Sequence, residues 1–151
     1  MSKILVVLGS KSDEKYLESL EQVFKDFNVQ YDIVISSAHR NPEKTATLAK
    51  NAKKNGYKVI IAGAGMAAHL PGVIASMTTL PVIGVPLPGS DLNGLDSLFS
   101  IVQMPGGVPV ASMGIGKHGM KNAALFAVQI LSLSNDILKE KYTTYKKNLA
   151  K

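Results

Sequence analysis

Five short apolar runs punctuate the chain, at residues 4–8, 31–35, 59–62, 81–85 and 109–113. They are rich in β-branched residues and lack the strict polar alternation of a strand with one wet face. That pattern predicts parallel strands covered on both sides. Between the first two runs, Leu17, Leu20, Val23, Phe24 and Phe27 recur three and four positions apart with charges between them, the mark of an amphipathic helix. Asn41-Pro42-Glu43 supplies an N-cap, a first-turn proline and an acid for a second helix, expected to end at Asn55-Gly56. A third helix is expected over about 67–77 and a fourth over about 120–132, and Asn135-Asp136 opens a last one. Strands alternate with helices at steps of 22 to 28 residues, which implies right-handed βαβ units. The expected fold is α/β: a three-layer sandwich with a mostly parallel central sheet of about five strands, flavodoxin- or Rossmann-like, plus a C-terminal helix.

Length adds that 151 residues form one domain by default, taken here as 1–151. The absence of cysteine excludes disulfides, thiolate catalysis and cysteine-ligated zinc or iron–sulfur centres. The first apolar run is too short to span a bilayer and no small-residue cleavage site follows it. A cytoplasmic protein with no membrane partner is therefore expected.

Charge changes the picture more. The formal net charge is +6 and the sequence pI about 9.5, which raises nucleic acid as a partner. Yet sixteen of the seventeen basic residues are lysine and only Arg40 has the bidentate fork favoured for reading bases. With no zinc-finger spacing, no RNP-like aromatic motif and no tryptophan, nucleic acid is not the expected partner. The excess sits at the ends, +3 over residues 1–58 and +5 over 117–151, including a basic tail from 134 to 151. Residues 59–116 contain no lysine or arginine, only Asp91 and Asp96, yet hold ten of the 13 glycines and six of the seven prolines. An uncharged, apolar, glycine-rich stretch is not a flexible linker. It implies buried strands, close-approaching loops and a surface that faces protein.

Ligands of such folds sit beyond the carboxyl ends of the strands, so those loops hold the candidate chemistry. Gly9-Ser10-Lys11-Ser12-Asp13 offers backbone amides and hydroxyls to a phosphate or sugar, or plain helix capping by Ser10 or Ser12. It lacks the glycine spacing of a P-loop. Ser36-Ser37-Ala38-His39-Arg40 places the only arginine, a good phosphate ligand, beside a histidine. Gly63-Ala64-Gly65-Met66-Ala67-Ala68 fits Gly-x-Gly-x-x-Ala, a dinucleotide fingerprint. However, it follows the third strand, and no acid ends the next one to hold a ribose. His69 falls at a helix start, where the dipole favours the neutral ring. The connection over 86–107 is long enough to be functional, as a lid or a subunit contact. His118 reads as solvent-exposed. Three scattered histidines without cysteine or a spaced carboxylate make no metal site. Met66, Met77, Met104 and Met113 read as core or interface filler.

Together these residues resemble a known family. Gly9-Ser10-Lys11-Ser12-Asp13, Ser37-Ala38-His39-Arg40, Gly63-Ala64-Gly65, Ala67-Ala68-His69-Leu70-Pro71-Gly72 and Leu80-Pro81-Val82-Ile83-Gly84-Val85-Pro86 are similar to the PurE family of carboxyaminoimidazole ribonucleotide mutases. Gly94-Leu95-Asp96-Ser97-Leu98, Ser100-Ile101-Val102-Gln103-Met104-Pro105, Ile115-Gly116 and Asn122-Ala123-Ala124-Leu125 continue the match in order over about 3–133, a catalytic core. The intact glycine–histidine loop at 63–72 resembles the bacterial mutase class rather than the related carboxylase class, which takes free carbon dioxide. Met66 stands where a glycine is usual and Asn41 where a threonine is common.

The resemblance implies an isomerase of purine (IMP) biosynthesis that moves a carboxylate from the exocyclic nitrogen to the ring carbon of an aminoimidazole ribonucleotide. The implied route is decarboxylation and recarboxylation in a closed pocket without ATP, metal or organic cofactor; the alternative is a carboxylase using free carbon dioxide. It implies acid–base catalysis by His39, with His69 orienting the carboxylate. Ser10, Ser12, Asp13, Ser37, Ala38, Arg40 and Leu70 would bind substrate, and the amides of Gly63 and Gly65 the mobile carboxylate. It also implies a homo-octamer. Two rivals of other classes are a nucleotide- or flavin-binding module and a nucleic-acid-binding protein.

Overall fold

A computed structural model describes residues 3–151. Its sheet holds β1 (Lys3–Leu8), β2 (Gln30–Ile35), β3 (Tyr57–Gly65), β4 (Val82–Leu87) and β5 (Ala111–Ser112). All four pairings are parallel and the strand order is β2-β1-β3-β4-β5, the doubly wound order of flavodoxin-like folds. The helices are α1 (Leu17–Phe27), α2 (Pro42–Asn51), α3 (Leu70–Ala75), α4 (Leu95–Val102), α5 (Lys117–Ser132) and α6 (Asp136–Leu149), with a 3-10 helix at Lys11–Tyr16 ahead of α1.

Alternate residues of β1 feed two separate cores. Ile4, Val6 and Leu8 join α1, α5 and Leu138 of α6 on one face, while Leu5 and Val7 join Ala49 of α2, Leu70 and Ile74 of α3 and Ile101 of α4 on the other. This double burial is why the apolar runs show no alternation. The edge strand β2 is only half-buried along its length, and Asp32 there pairs with Lys3 at 2.7 Å and accepts from Tyr57 at 2.6 Å. The basic terminal helix is anchored rather than free. Tyr142 and Tyr145 stack around Phe27, and Lys141 Nζ donates to the Phe27 carbonyl near the end of α1.

The boundaries depart from expectation in six places. Strand β3 runs on through Gly65, because Ala64 and Gly65 continue the ladder opposite Pro86 and Leu87. The helix expected from 67 starts only at Leu70: Met66, at φ +55°, takes the chain off the helical path first. Helix α2 ends at Asn51, and the turn that follows closes at Gly56, φ +88°. Helix α5 begins at Lys117, three residues before the expected start. The stretch 86–107 contains a helix, α4, rather than being loop throughout. Its periodicity is masked because Leu95, Phe99 and Val102 are apolar on the exposed side as well. Strand β5 shrinks to two residues, since Pro109 has no N–H for a ladder.

Helix α4 reaches the sheet only because Gly84 has no side chain. A β-carbon there would lie 2.6 Å from Ile101 Cγ2 and 2.9 Å from Val110 Cγ1. Gly84→Ala is expected to destabilise the fold by about 1–3 kcal/mol through overpacking. In calorimetry this reads as a fall in Tm of about 2–4 °C per kcal/mol.

Candidate functional site

The chain leaves β1 towards β2 on one side and later returns to place β3 on the other. The crevice at this reversal opens beyond the carboxyl ends of the strands. A cavity of about 640 Å³ fills it, lined by Gly9, Ser10, Ser12, Asp13 and Lys15 after β1 and by Ser37, Ala38, His39 and Arg40 after β2. Ala64, Gly65, Met66, Ala67, His69 and Leu70 around the end of β3, with Pro88 and Gly89 after β4, complete the wall.

Each loop is held by its own polar contacts. Ser10 Oγ accepts from the Ser12 N–H at 3.4 Å and lies 3.0 Å from Ser12 Oγ, so capping and presentation to the cavity coexist in one serine. The Ser37 hydroxyl accepts from the Arg40 N–H at 3.1 Å and from Nε at 3.5 Å, and Arg40 also reaches the Gly9 carbonyl at 3.5 Å. Below them the buried Ser36 and Thr45 hydroxyls meet at 2.8 Å, and Asn41 caps α2 through the Lys44 N–H. The His39 loop is thereby tied to the first turn of α2.

Thirty residues apart in sequence, His39 and His69 meet in the cavity. His39 Nε2 lies 2.8 Å from His69 Nδ1, and the rings stand edge to face at 75°. Nitrogens at that distance share one proton, so one ring donates and the other accepts. A proton can thus pass between the rings without either moving far. His69 stands at the N-cap position of α3, with no side-chain bond to the helix. His118 is exposed on α5 and does not line the cavity.

Of the expected binding residues only Gly63 is absent from the wall. It lies inside the β1–β3–β4 ladder, its carbonyl accepts from the Gly9 N–H at 3.0 Å, and a β-carbon there would meet Leu8, Met120 and Leu87. Gly65 does reach the cavity. Lys15, Ala64, Met66, Ala67, Pro88 and Gly89 line it without having been singled out for the site. For Lys15 a signal existed: it follows Ser12 by three residues, one turn of a 3-10 helix, and so shares its face.

The AIR carboxylase family model matches residues 3–151. The chain belongs to that family. It is 52% identical over 149 residues to the N5-carboxyaminoimidazole ribonucleotide mutase of Saccharolobus solfataricus, covering 99% of this chain and 93% of that one. It is 51% identical over 147 residues to the protein of the same name from Haemophilus influenzae, covering 97% and 90%. A crystal structure of Treponema denticola PurE superposes with a TM-score of 0.89 at 28% identity, over 99% of this chain and 92% of that one.

In this AIR carboxylase family member Asp13 is, among the described residues, the only acid on the cavity wall, and it is 8% exposed. Burial raises its carboxyl above the ordinary value of 3.8, outweighing a backbone hydrogen bond at Ser10 and the nearby charges of Lys15 and Arg40. A raised folded-state value favours the protonated form, so stability is lost as pH climbs from 3.8 through that value. Asp13→Asn is therefore expected to raise the urea midpoint at pH 7. The gain should shrink as pH falls towards 3.8, where the native carboxyl is neutral as well.

Proposed function

We propose that this chain is a carboxyaminoimidazole ribonucleotide mutase, an isomerase of purine biosynthesis. The observation that carries the reading is the His39–His69 pair at 2.8 Å in a cavity that also holds Arg40, within a chain about half identical to proteins named for that activity. The substrate's bond between exocyclic nitrogen and carboxyl carbon breaks, releasing carbon dioxide into the cavity as the nitrogen takes a proton from His39. The ring carbon then attacks the trapped carbon dioxide, and His39 removes the proton from that carbon. The proton donated in the first half is recovered in the second, so no co-reactant is consumed and neither ATP nor a metal enters the balance. His69, in contact with His39, orients the carboxylate and shares the proton. Exclusion of water keeps the carbon dioxide from escaping.

Ser10, Ser12, Asp13, Ser37 and Arg40 hold the phosphoribosyl part, and Ala38, Gly65 and Leu70 shape the wall. Gly63 has no place in this scheme, because its backbone belongs to the sheet. The family description keeps a second reading, carboxylation of aminoimidazole ribonucleotide by free carbon dioxide. Feeding the N-carboxylated and the bare ribonucleotide separately, the latter with bicarbonate, distinguishes them: a mutase turns over only the first at low bicarbonate. His39→Asn is expected to lower kcat by at least about 100-fold, in the range typical of a lost general acid–base. Near-normal turnover would sink the assignment.

The working form we infer is a homo-octamer in the cytoplasm, with no nucleic acid or membrane as partner. Among the described residues no helix is long and apolar enough to cross a membrane. Leu95 and Phe99 of α4 are 48% and 57% exposed and Val102 continues the same face, an apolar stripe suited to subunit contact. Light scattering at micromolar concentration should give a mass near eight times 16.1 kDa. A monomer would refute the assembly.

A further inference from the structure

The cavity carries a second cation that the catalytic scheme leaves unused. Lys15 sits one 3-10 turn beyond Ser12 and therefore on the face that Ser12 presents to the cavity, and both residues line it. Among the described residues, Lys15 and Arg40 alone on the wall bear a fixed positive charge, and Asp13 is the one acid. Asp13 and Lys15 belong to the same 3-10 turn after β1, and Arg40 reaches the Gly9 carbonyl that leads into it at 3.5 Å, so the three groups occupy one end of the cavity. Asp13, when ionised, offsets one of the two cations there, and a dianionic phosphomonoester then needs the other.

Lys15 is free to serve. Among the described residues it forms no ion pair, and its ammonium rests 5.3 Å from the centre of the Tyr16 ring. That ring is itself fixed, because the Tyr16 hydroxyl donates to the carbonyl of Pro88 at 3.3 Å across the cavity rim. An exposed ammonium over a ring is held weakly and exchanges readily for a phosphate oxygen.

We propose that Lys15 is a substrate-binding residue that contacts the phosphate together with Arg40, moving there from its perch on Tyr16. The inference rests on the ribonucleotide reading, in which the histidine pair occupies the proton-handling end and the cations take the phosphate. Ribose 5-phosphate is the probe, with ribose as its uncharged control, titrated calorimetrically into the wild type, Lys15→Ala and Lys15→Arg. Lys15 is exposed, so both variants should fold.

Loss of one charge-assisted contact predicts binding about fivefold to tenfold weaker for Lys15→Ala and within about twofold of wild type for Lys15→Arg. The salt dependence of binding should be shallower in the alanine variant. In turnover, KM for the carboxylated ribonucleotide should rise by the same factor while kcat falls less than twofold. Equal affinity of wild type and Lys15→Ala for ribose 5-phosphate overturns the proposal, as does failure of the wild type to bind it at millimolar concentration. If binding weakens as expected but the wild type does not turn over the carboxylated ribonucleotide, the mutase reading falls and the phosphate contact stands.

Discussion

The constraint on which the rest of the structure depends is the burial of β1, β3 and β4 on both faces. Every residue of β1 from Ile4 to Leu8 and every residue of β4 is buried, and the two layers of helices close over them from opposite sides. No polar side chain can project from the middle of such strands without losing water and finding no partner. Polar chemistry is displaced to the strand ends, where backbone amides and carbonyls run out of ladder partners. The same constraint accounts for the stretch 59–116 without lysine or arginine, which supplies most of β3, all of β4 and β5, and the helices between them.

At the carboxyl end of the sheet the displaced groups are concentrated. Two cations, one buried carboxyl, three serines and two imidazoles share a single cavity. Burial works against the Asp13 charge, while a backbone hydrogen bond at Ser10 and the charges of Lys15 and Arg40 work for it. The cavity wall is therefore an electrostatic balance between desolvation and neighbouring charge.

Much of this was legible in the sequence, for identifiable reasons. The five strands showed as β-branched runs, and α1 showed because Leu17, Leu20, Val23, Phe24 and Phe27 face the core while charges face water. Helix α4 was missed because it is apolar on its exposed side too, and periodicity is the only helical signal a sequence carries without caps. Gly63 reads as loop because its stretch is glycine-rich, whereas in the structure it continues β3. Lys15 was passed over because Glu14 and Lys15 look like ordinary solvated charges, and only the 3-10 pitch turns Lys15 towards Ser12. The approach of His39 to His69 is a tertiary fact: each lies at the end of a different strand, and no local spacing encodes their distance.

Met66 ties the sheet to that histidine contact. The chain must leave β3, turn sharply and start α3 with His69 facing back towards His39, and it does so through a residue at φ +55°. A side chain there costs about 1–2 kcal/mol relative to the right-handed region. Met66 is 62% exposed, so its own packing does little to hold that conformation. The restraint comes from either side: Gly65 is in register with Leu87 in the ladder, and Ala68 and Leu70 are buried beneath α2 and the sheet. The strain at Met66 is the consequence of anchoring both ends of the turn, and the same anchoring sets the two imidazoles at hydrogen-bonding distance.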